Sequence, residues 1–267
     1  MLSLPRRIPA SDSAPWRWAI AGALAGLMLA LVVFAPARWL AALVRQATGE
    51  QVLLLASRGS FWQGSAQLAL SGGAGSTASV ALPGQLLWRI RPAWSGLTMQ
   101  LSADCCTPQP LLIKAVPAGW SGVRLLLSDG QSRWPAGLLA GLGTPWNTVQ
   151  AQGQLAAATQ GFQAEWLGGR LRLAGRLQLD ALQISSRLST LQPMGSYRVT
   201  LVGANPSTLR LETLEGALQL SGQGQWIGER LHFDGVASAR PESVEALSNL
   251  LNIIGRRNGA TAIIKVG

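Results

Sequence analysis

Histidine and tyrosine each occur once in the 267 residues, cysteine and lysine twice, and only 13% of residues are charged. One histidine leaves little room for a triad or a metal site. The two cysteines are neighbours, Cys105-Cys106, so they cannot build a four-thiolate zinc site or a disulfide framework. Low charge beside a 48% hydrophobic share excludes a disordered chain, which needs the reverse balance. Thirty-one Gly and 14 Pro argue against a helical bundle, because turn residues interrupt long helices. Length and hydrophobic content suit one anchored domain of ordinary size, or two short ones.

The chain carries a formal net charge of +10. Apart from Lys114 and Lys265 the basic residues are all arginine, with no run longer than Arg6-Arg7 or Arg256-Arg257. A nucleic-acid footprint clusters its basic residues on one face with exposed aromatics. Here the arginines alternate with apolar residues, so no nucleic-acid partner is expected. Attraction to an anionic membrane surface or to an acidic partner stays open.

Trp18–Ala37 contains no charge, and 20 residues at 1.5 Å rise span about 30 Å, the thickness of a bilayer core. Arg6, Arg7 and Arg17 precede it against one acid, Asp12, which places residues 1–17 in the cytoplasm and the chain after Ala37 across the membrane. Trp16, Trp18 and Trp39 stand at the two ends, where interfacial aromatics belong. Ala35-Pro36-Ala37 has the small-x-small form of a signal-peptide cleavage site, but the apolar run exceeds the usual length of such a signal. A retained membrane helix is the reading adopted. Gly22 and Gly26 form a G-x-x-x-G that permits close approach of a second helix, hence self-association through the span.

Beyond a short amphipathic stretch, Trp39–Thr48, the dominant signal is period two. Leu171, Leu173, Gly175, Leu177 and Leu179 fall on one face of a strand. Arg170, Arg172, Arg176, Gln178 and Asp180 fall on the other, and Gly175 marks a bulge. Tyr197-Val199-Leu201, Leu209-Leu211 and Leu218-Leu220 repeat the pattern between turns. A W-x-G recurs at Trp62-Gly64, Trp94-Gly96, Trp120-Gly122, Trp166-Gly168 and Trp226-Gly228, each leading into an alternating stretch. Its spacing is too uneven for a solenoid, and glycine there can supply a positive-φ turn while Trp caps a sheet edge. Helix is expected at Pro241–Ile254, with Val244, Leu247, Leu250, Leu251 and Ile254 on one face and Gly255 as its stop. Pro135–Leu142 can add two turns, and TAIIKV reads as a last strand. The fold class is mainly β: one transmembrane helix, then an elongated antiparallel sheet over residues 38–267 that can curve into a groove, with a short C-terminal helix. A soft boundary near 143–153 separates two possible lobes.

Catalytic patterns fail one by one. Arg230, His232 and Asp234 share a strand face, which reads as a solvated surface set. Gly119-Trp120-Ser121-Gly122 lacks the final glycine of a nucleophile elbow, since Val123 stands there. Gly222-Gln223-Gly224 lacks the third glycine of a dinucleotide turn. Cys105-Cys106, beside Pro108 and Pro110, reads as a local turn feature. Neither enzyme activity, nor a cofactor, nor a metal is expected.

The order of motifs carries a likeness. A basic N-terminus and one span lead into Pro36-Ala37-Arg38-Trp39-Leu40 and Gly59-Ser60-Phe61-Trp62-Gln63-Gly64. Thr144-Pro145-Trp146-Asn147-Thr148, Ser185-Ser186-Arg187-Leu188-Ser189 and Gly195-Ser196-Tyr197 follow, and Leu250-Leu251-Asn252-Ile253-Ile254-Gly255-Arg256-Arg257 closes. Together they resemble protein N of the type II (general) secretion pathway of Gram-negative bacteria. The resemblance implies a single-pass inner-membrane accessory subunit whose periplasmic part links the inner-membrane platform to the outer-membrane secretin. Its alternative is a membrane-anchored β-groove protein that carries lipid. The residues singled out for partner contact or structure are Gly22, Gly26, Trp62, Gly64, Arg170, Arg172 and Arg176.

Overall fold

The computed structural model describes residues 16–76, 79–120, 122–228 and 230–267. Arg6, Arg7 and Asp12, on which the expected orientation rests, and Ser121 lie outside these. The first helix, α1 (Trp16–Val33), buries none of its residues and is long and apolar enough to cross a membrane. The sequence placed its end at Ala37; the helix stops four residues earlier. Pro36 forces the cause: it is extended (φ −74°, ψ 151°), and a proline disfavours the helical region for the residue before it. A second helix, α2 (Ala37–Ala47), starts immediately after and buries Ala37 and Leu40.

Sixteen strands among the described residues form one antiparallel sheet that does not close, and strand accounts for 55% of the structure. The first eight are β1 (Val52–Gly59), β2 (Gln63–Ser71), β3 (Ser79–Ala81), β4 (Leu86–Ala93), β5 (Gly96–Ala103), β6 (Leu111–Ala118), β7 (Gly122–Leu127) and β8 (Gly130–Pro135). Then come β9 (Gln152–Leu167), β10 (Arg170–Ser185), β11 (Gly195–Gly203), β12 (Thr208–Gly216), β13 (Leu218–Ile227), β14 (Arg230–Ala239), β15 (Arg256–Asn258) and β16 (Thr261–Val266). The order is a meander, β1-β2-β4-β5-β6-β7-β9-β10-β11-β12-β13-β14-β16-β15, with β3 on β2 and β8 on β9. β9 joins the two halves: β7 pairs with its far part at Gln163–Trp166, and β8 with Gln154–Thr159.

Period two becomes two kinds of row across the C-terminal half. Leu179, Val199, Leu211, Gly222, Gly235 and Ile264 lie side by side on β10 to β16. One residue along, Gln178, Thr200, Arg210, Gln223, Asp234 and Lys265 form the neighbouring row. Successive residues point to opposite faces, so one face is apolar and the other polar. The glycines in the apolar rows have a steric purpose. A Cβ on Gly235 would lie 2.8 Å from the Phe233 ring, and one on Gly222 closer still.

Three small clusters replace a single core. α2 covers Ala66, Trp88 and Ile90. A 3-10 turn at Ala136–Leu142, which a one-turn helix α3 (Trp146–Val149) follows, closes with Cys106 over Leu82, Leu86 and Ala103. The largest lies under a helix near the C-terminus, α4 (Ser248–Ile254), where Leu247, Leu250 and Leu251 meet Leu218, Tyr197 and Ala237. The single helix expected over Pro241–Ile254 is divided into a 3-10 turn, Pro241–Ser243, and α4. Burying Ser243, Leu247, Leu250 and Leu251 against the sheet decides the path over the local helical period. Gly255 does end α4, but in extended conformation, and a Cβ there would meet the Ile263 carbonyl carbon at 2.9 Å.

On the polar face Arg198 donates to both oxygens of Asp180, at 2.7 and 2.8 Å, and Gln178 donates to the same carboxylate. The Arg198 hydrogen bonds hold the Asp180 carboxyl below its ordinary 3.8, against the opposing effect of burial. A carboxyl lowered by folding contributes stability above its unfolded value and loses it as pH falls through the folded one. Arg198→Ala is expected to cost about 1–2 kcal/mol at neutral pH. Urea unfolding should show that cost shrinking as pH drops below 3.8. A penalty that does not change with pH would assign it to something else.

Candidate functional site

The motif Gly59-Ser60-Phe61-Trp62-Gln63-Gly64 builds the joint between α1 and the sheet. Gly59 takes a positive φ of 87°, and the Ser60 hydroxyl accepts from the Gln63 amide at 3.1 Å, which closes the β1–β2 turn. A helix leaves its last carbonyls without partners. Here Trp62 Nε1 donates to the Val32 carbonyl at 2.8 Å, and the Phe61 amide to the Ala35 carbonyl at 2.7 Å. Pro36 forms a bridge with Ser60, and Ala35 and Ala37 are buried. Trp88 Nε1 donates to the Phe61 carbonyl at 3.1 Å, and Gly64 lets the Trp88 ring lie against β2. Phe61 meets Trp62 edge to face at 5.3 Å. Trp62 and Gly64 therefore act together, with Trp88 and Phe61 as partners that the sequence reading did not single out.

Gly22 and Gly26 lie one turn apart on α1, with nothing within 4 Å of either Cβ position. That helical surface is bare.

Arg170, Arg172 and Arg176 alternate along β10 and are exposed. Arg170 and Arg172 line a cleft of about 690 Å³ with Asn205, Pro206 and Trp226. Arg172 is in register with Glu165, whose carboxylate pairs with Arg124 at 3.1 Å. Arg176 lies beyond the bulge at Gly175, opposite Val202. The three all lie exposed on β10 but do not share one cleft.

A second concavity opens over the apolar face. About 400 Å³ is lined by Leu155, Leu179, Val199, Leu211, Leu220, Ile254 and their neighbours. Tyr197 lines it too, and its buried hydroxyl has no hydrogen-bond partner among the described residues. Burial pushes the Tyr197 phenol up, so it stays protonated. The one signal in the sequence was that this is the only tyrosine.

The remaining chemistry is local. His232 is exposed on β14, and Asp234 pairs with Lys265 at 3.7 Å. Cys105 and Cys106 form a disulfide in the β5–β6 turn, where the Cys106 carbonyl accepts from the Arg133 amide at 2.7 Å. No group of three His, Cys, Asp or Glu that could hold a metal occurs among the described residues.

Residues 50–264 match a family model described as type II secretion system (T2SS), protein N. No curated protein and no solved structure matches the chain.

Gly64→Ala would put a Cβ 2.6 Å from the Trp88 ring. It is expected to cost about 1–3 kcal/mol, the range for overpacking, and to expose the joint to proteolysis. Tyr197→Phe removes a hydroxyl that bonds to nothing, so urea unfolding should show no loss, or a gain of up to about 1 kcal/mol. A clear loss would mean that the hydroxyl has a partner.

Proposed function

The chain belongs to the protein N family of the type II secretion system, and from that premise we propose that it bridges the inner-membrane platform and the outer-membrane secretin without catalysing a reaction. As a member of this family it has an accessory role in type II secretion. In the proposed arrangement residues 1–15 and the start of α1 face the cytoplasm and the sheet stands in the periplasm.

The joint at Trp62 carries this reading. A bridge must transmit position from its anchor, and here the end of α1 is bonded into the sheet instead of hanging from a linker. The same joint favours a retained span over a cleaved signal: cutting after Ala37 would strip the bonded Ala35 carbonyl and the Pro36–Ser60 bridge from the fold. Partner capture needs only surfaces. The sheet ends in edge strands, and Ile264–Val266 of β16 extend past the pairing with β15. Such edges recruit strands through main-chain hydrogen bonds. Arg170, Arg172 and Arg176 add attraction to acidic partners within roughly 8–10 Å, the screening length at ordinary ionic strength.

A second reading has its own observation. The apolar concavity around Tyr197 has the chemistry to take an acyl chain, which would make the protein a lipid carrier.

A deletion strain is expected to accumulate folded exoproteins in the periplasm. His232→Ala and Cys106→Ala, at unchanged protein level, should restore export as well as the parent does. Replacing Arg170, Arg172 and Arg176 by Glu should weaken co-purification of secretion components, most at low salt. Loss of export with His232→Ala alone would sink the non-catalytic reading. Stoichiometric phospholipid in the purified chain, with no secretion component bound, would put the carrier in place of the bridge.

A further inference from the structure

The meander puts alternate turns at the same end of the sheet. The β1–β2, β4–β5, β6–β7, β9–β10 and β13–β14 turns all lie at one end, which we call the rim. These are the five places where W-x-G occurs. The repeat, too uneven to be a structural period, marks a location instead. Its tryptophans do not all cap the sheet as the sequence suggested. Trp94 and Trp120 stand at hairpin tips with relative exposures of 110% and 106%. Nothing among the described residues packs on either.

The rim is also where α1 arrives, because Trp62 and Phe61 of the β1–β2 turn hold the carbonyls at its C-terminal end. Strands are spaced by about 4.8 Å, so the Trp94 turn lies roughly 10 Å and the Trp120 turn roughly 20 Å along the rim from that joint. The charge there is one-sided. Within three strand residues of the rim turns, including β11–β12, stand Arg58, Arg91, Arg124, Arg170, Arg172, Arg210 and Arg230. The carboxylates in the same span of sequence are Glu165, paired with Arg124, and Glu229. The opposite end is mixed: Asp104, Glu215, Glu242 and Glu245 stand there with Arg133, Arg187, Arg240, Arg256 and Arg257.

We propose that this rim docks on the headgroup layer of the bilayer that α1 crosses, on the side where α1 emerges, with Trp94 and Trp120 entering the interface and Arg58 and Arg91, the free arginines nearest the joint, meeting lipid phosphates. Indole rings favour that layer, with an apolar body facing the acyl chains and an N–H facing water. Arginine binds phosphate through a planar fork of donors. The twist of the sheet carries its far turns away from any one plane, so contact is confined to the turns nearest the joint. The occupant is a lipid surface, because the α1 joint brings the rim to one. The sheet then stands on the membrane with its charge-mixed end outward. This inference rests on α1 as a retained span, not on the bridging role.

The test uses the full chain reconstituted into phosphatidylcholine vesicles, with and without phosphatidylglycerol. Nitroxide labels are placed at Ser95→Cys, in the Trp94 turn, or at Glu242→Cys, at the far end; the native cysteines are already paired with each other. Collision with oxygen and with a water-soluble nickel chelate reads the depth of each label. The Ser95 label is expected at interfacial depth, deeper with phosphatidylglycerol, and the Glu242 label in water. Trp94→Ser with Trp120→Ser should return the Ser95 label to aqueous accessibility while leaving the Glu242 reading and the unfolding midpoint unchanged. A Ser95 label as aqueous as the Glu242 label in both vesicles overturns the docking while leaving the anchor standing. Release of the chain by alkaline wash overturns the anchor, and the docking with it.

Discussion

A sheet with one apolar face needs a cover, and that need organises this molecule. Rows such as Leu179, Val199, Leu211 and Ile264 run across strands far apart in sequence, so the apolar face is much wider than any one helix. Three short pieces cover it separately: α2, the 3-10 turn before α3 (Trp146–Val149), and α4. Where the α4 cover ends, the concavity around Tyr197 begins. The glycines of β13 and β14 follow from the same constraint, since they let Phe233 lie flat against the sheet and close part of that face without a helix.

The α1 joint answers a different need. The carbonyls at the end of a helix require donors once the chain leaves the helix. Phe61 and Trp62 supply them from a hairpin turn, so satisfying the helix end also fixes where the sheet begins relative to α1. Trp88 and Gly64 hold that turn from behind. His232, Asp234 and Cys105-Cys106 are each accounted for by their own turn or strand face.

The sequence by itself determined the elements whose signal is local. Period two marked β10 to β13, the alanine- and isoleucine-rich TAIIKV marked β16, and the long uncharged run marked α1. The arrangement of each strand's faces was legible for the same reason: alternation is a property of neighbours in the chain. The end of α1 was read too late because Pro36 acts on the residue before it. The break between Pro241 and α4 escaped because burial of Leu247, Leu250 and Leu251 against strands far away in sequence decides it.

Of the candidate site, Trp62 and Gly64 were legible as a motif but not as a joint, since their partners Val32, Ala35 and Trp88 come from three separate segments. Arg170, Arg172 and Arg176 all lie exposed on β10, but the irregularity at Gly175 and the ends of neighbouring strands divide them between surroundings. Only the tertiary structure showed that five uneven W-x-G turns share one end of the sheet. That fact depends on strand pairing, and pairing is set by contacts between distant segments that no local pattern encodes.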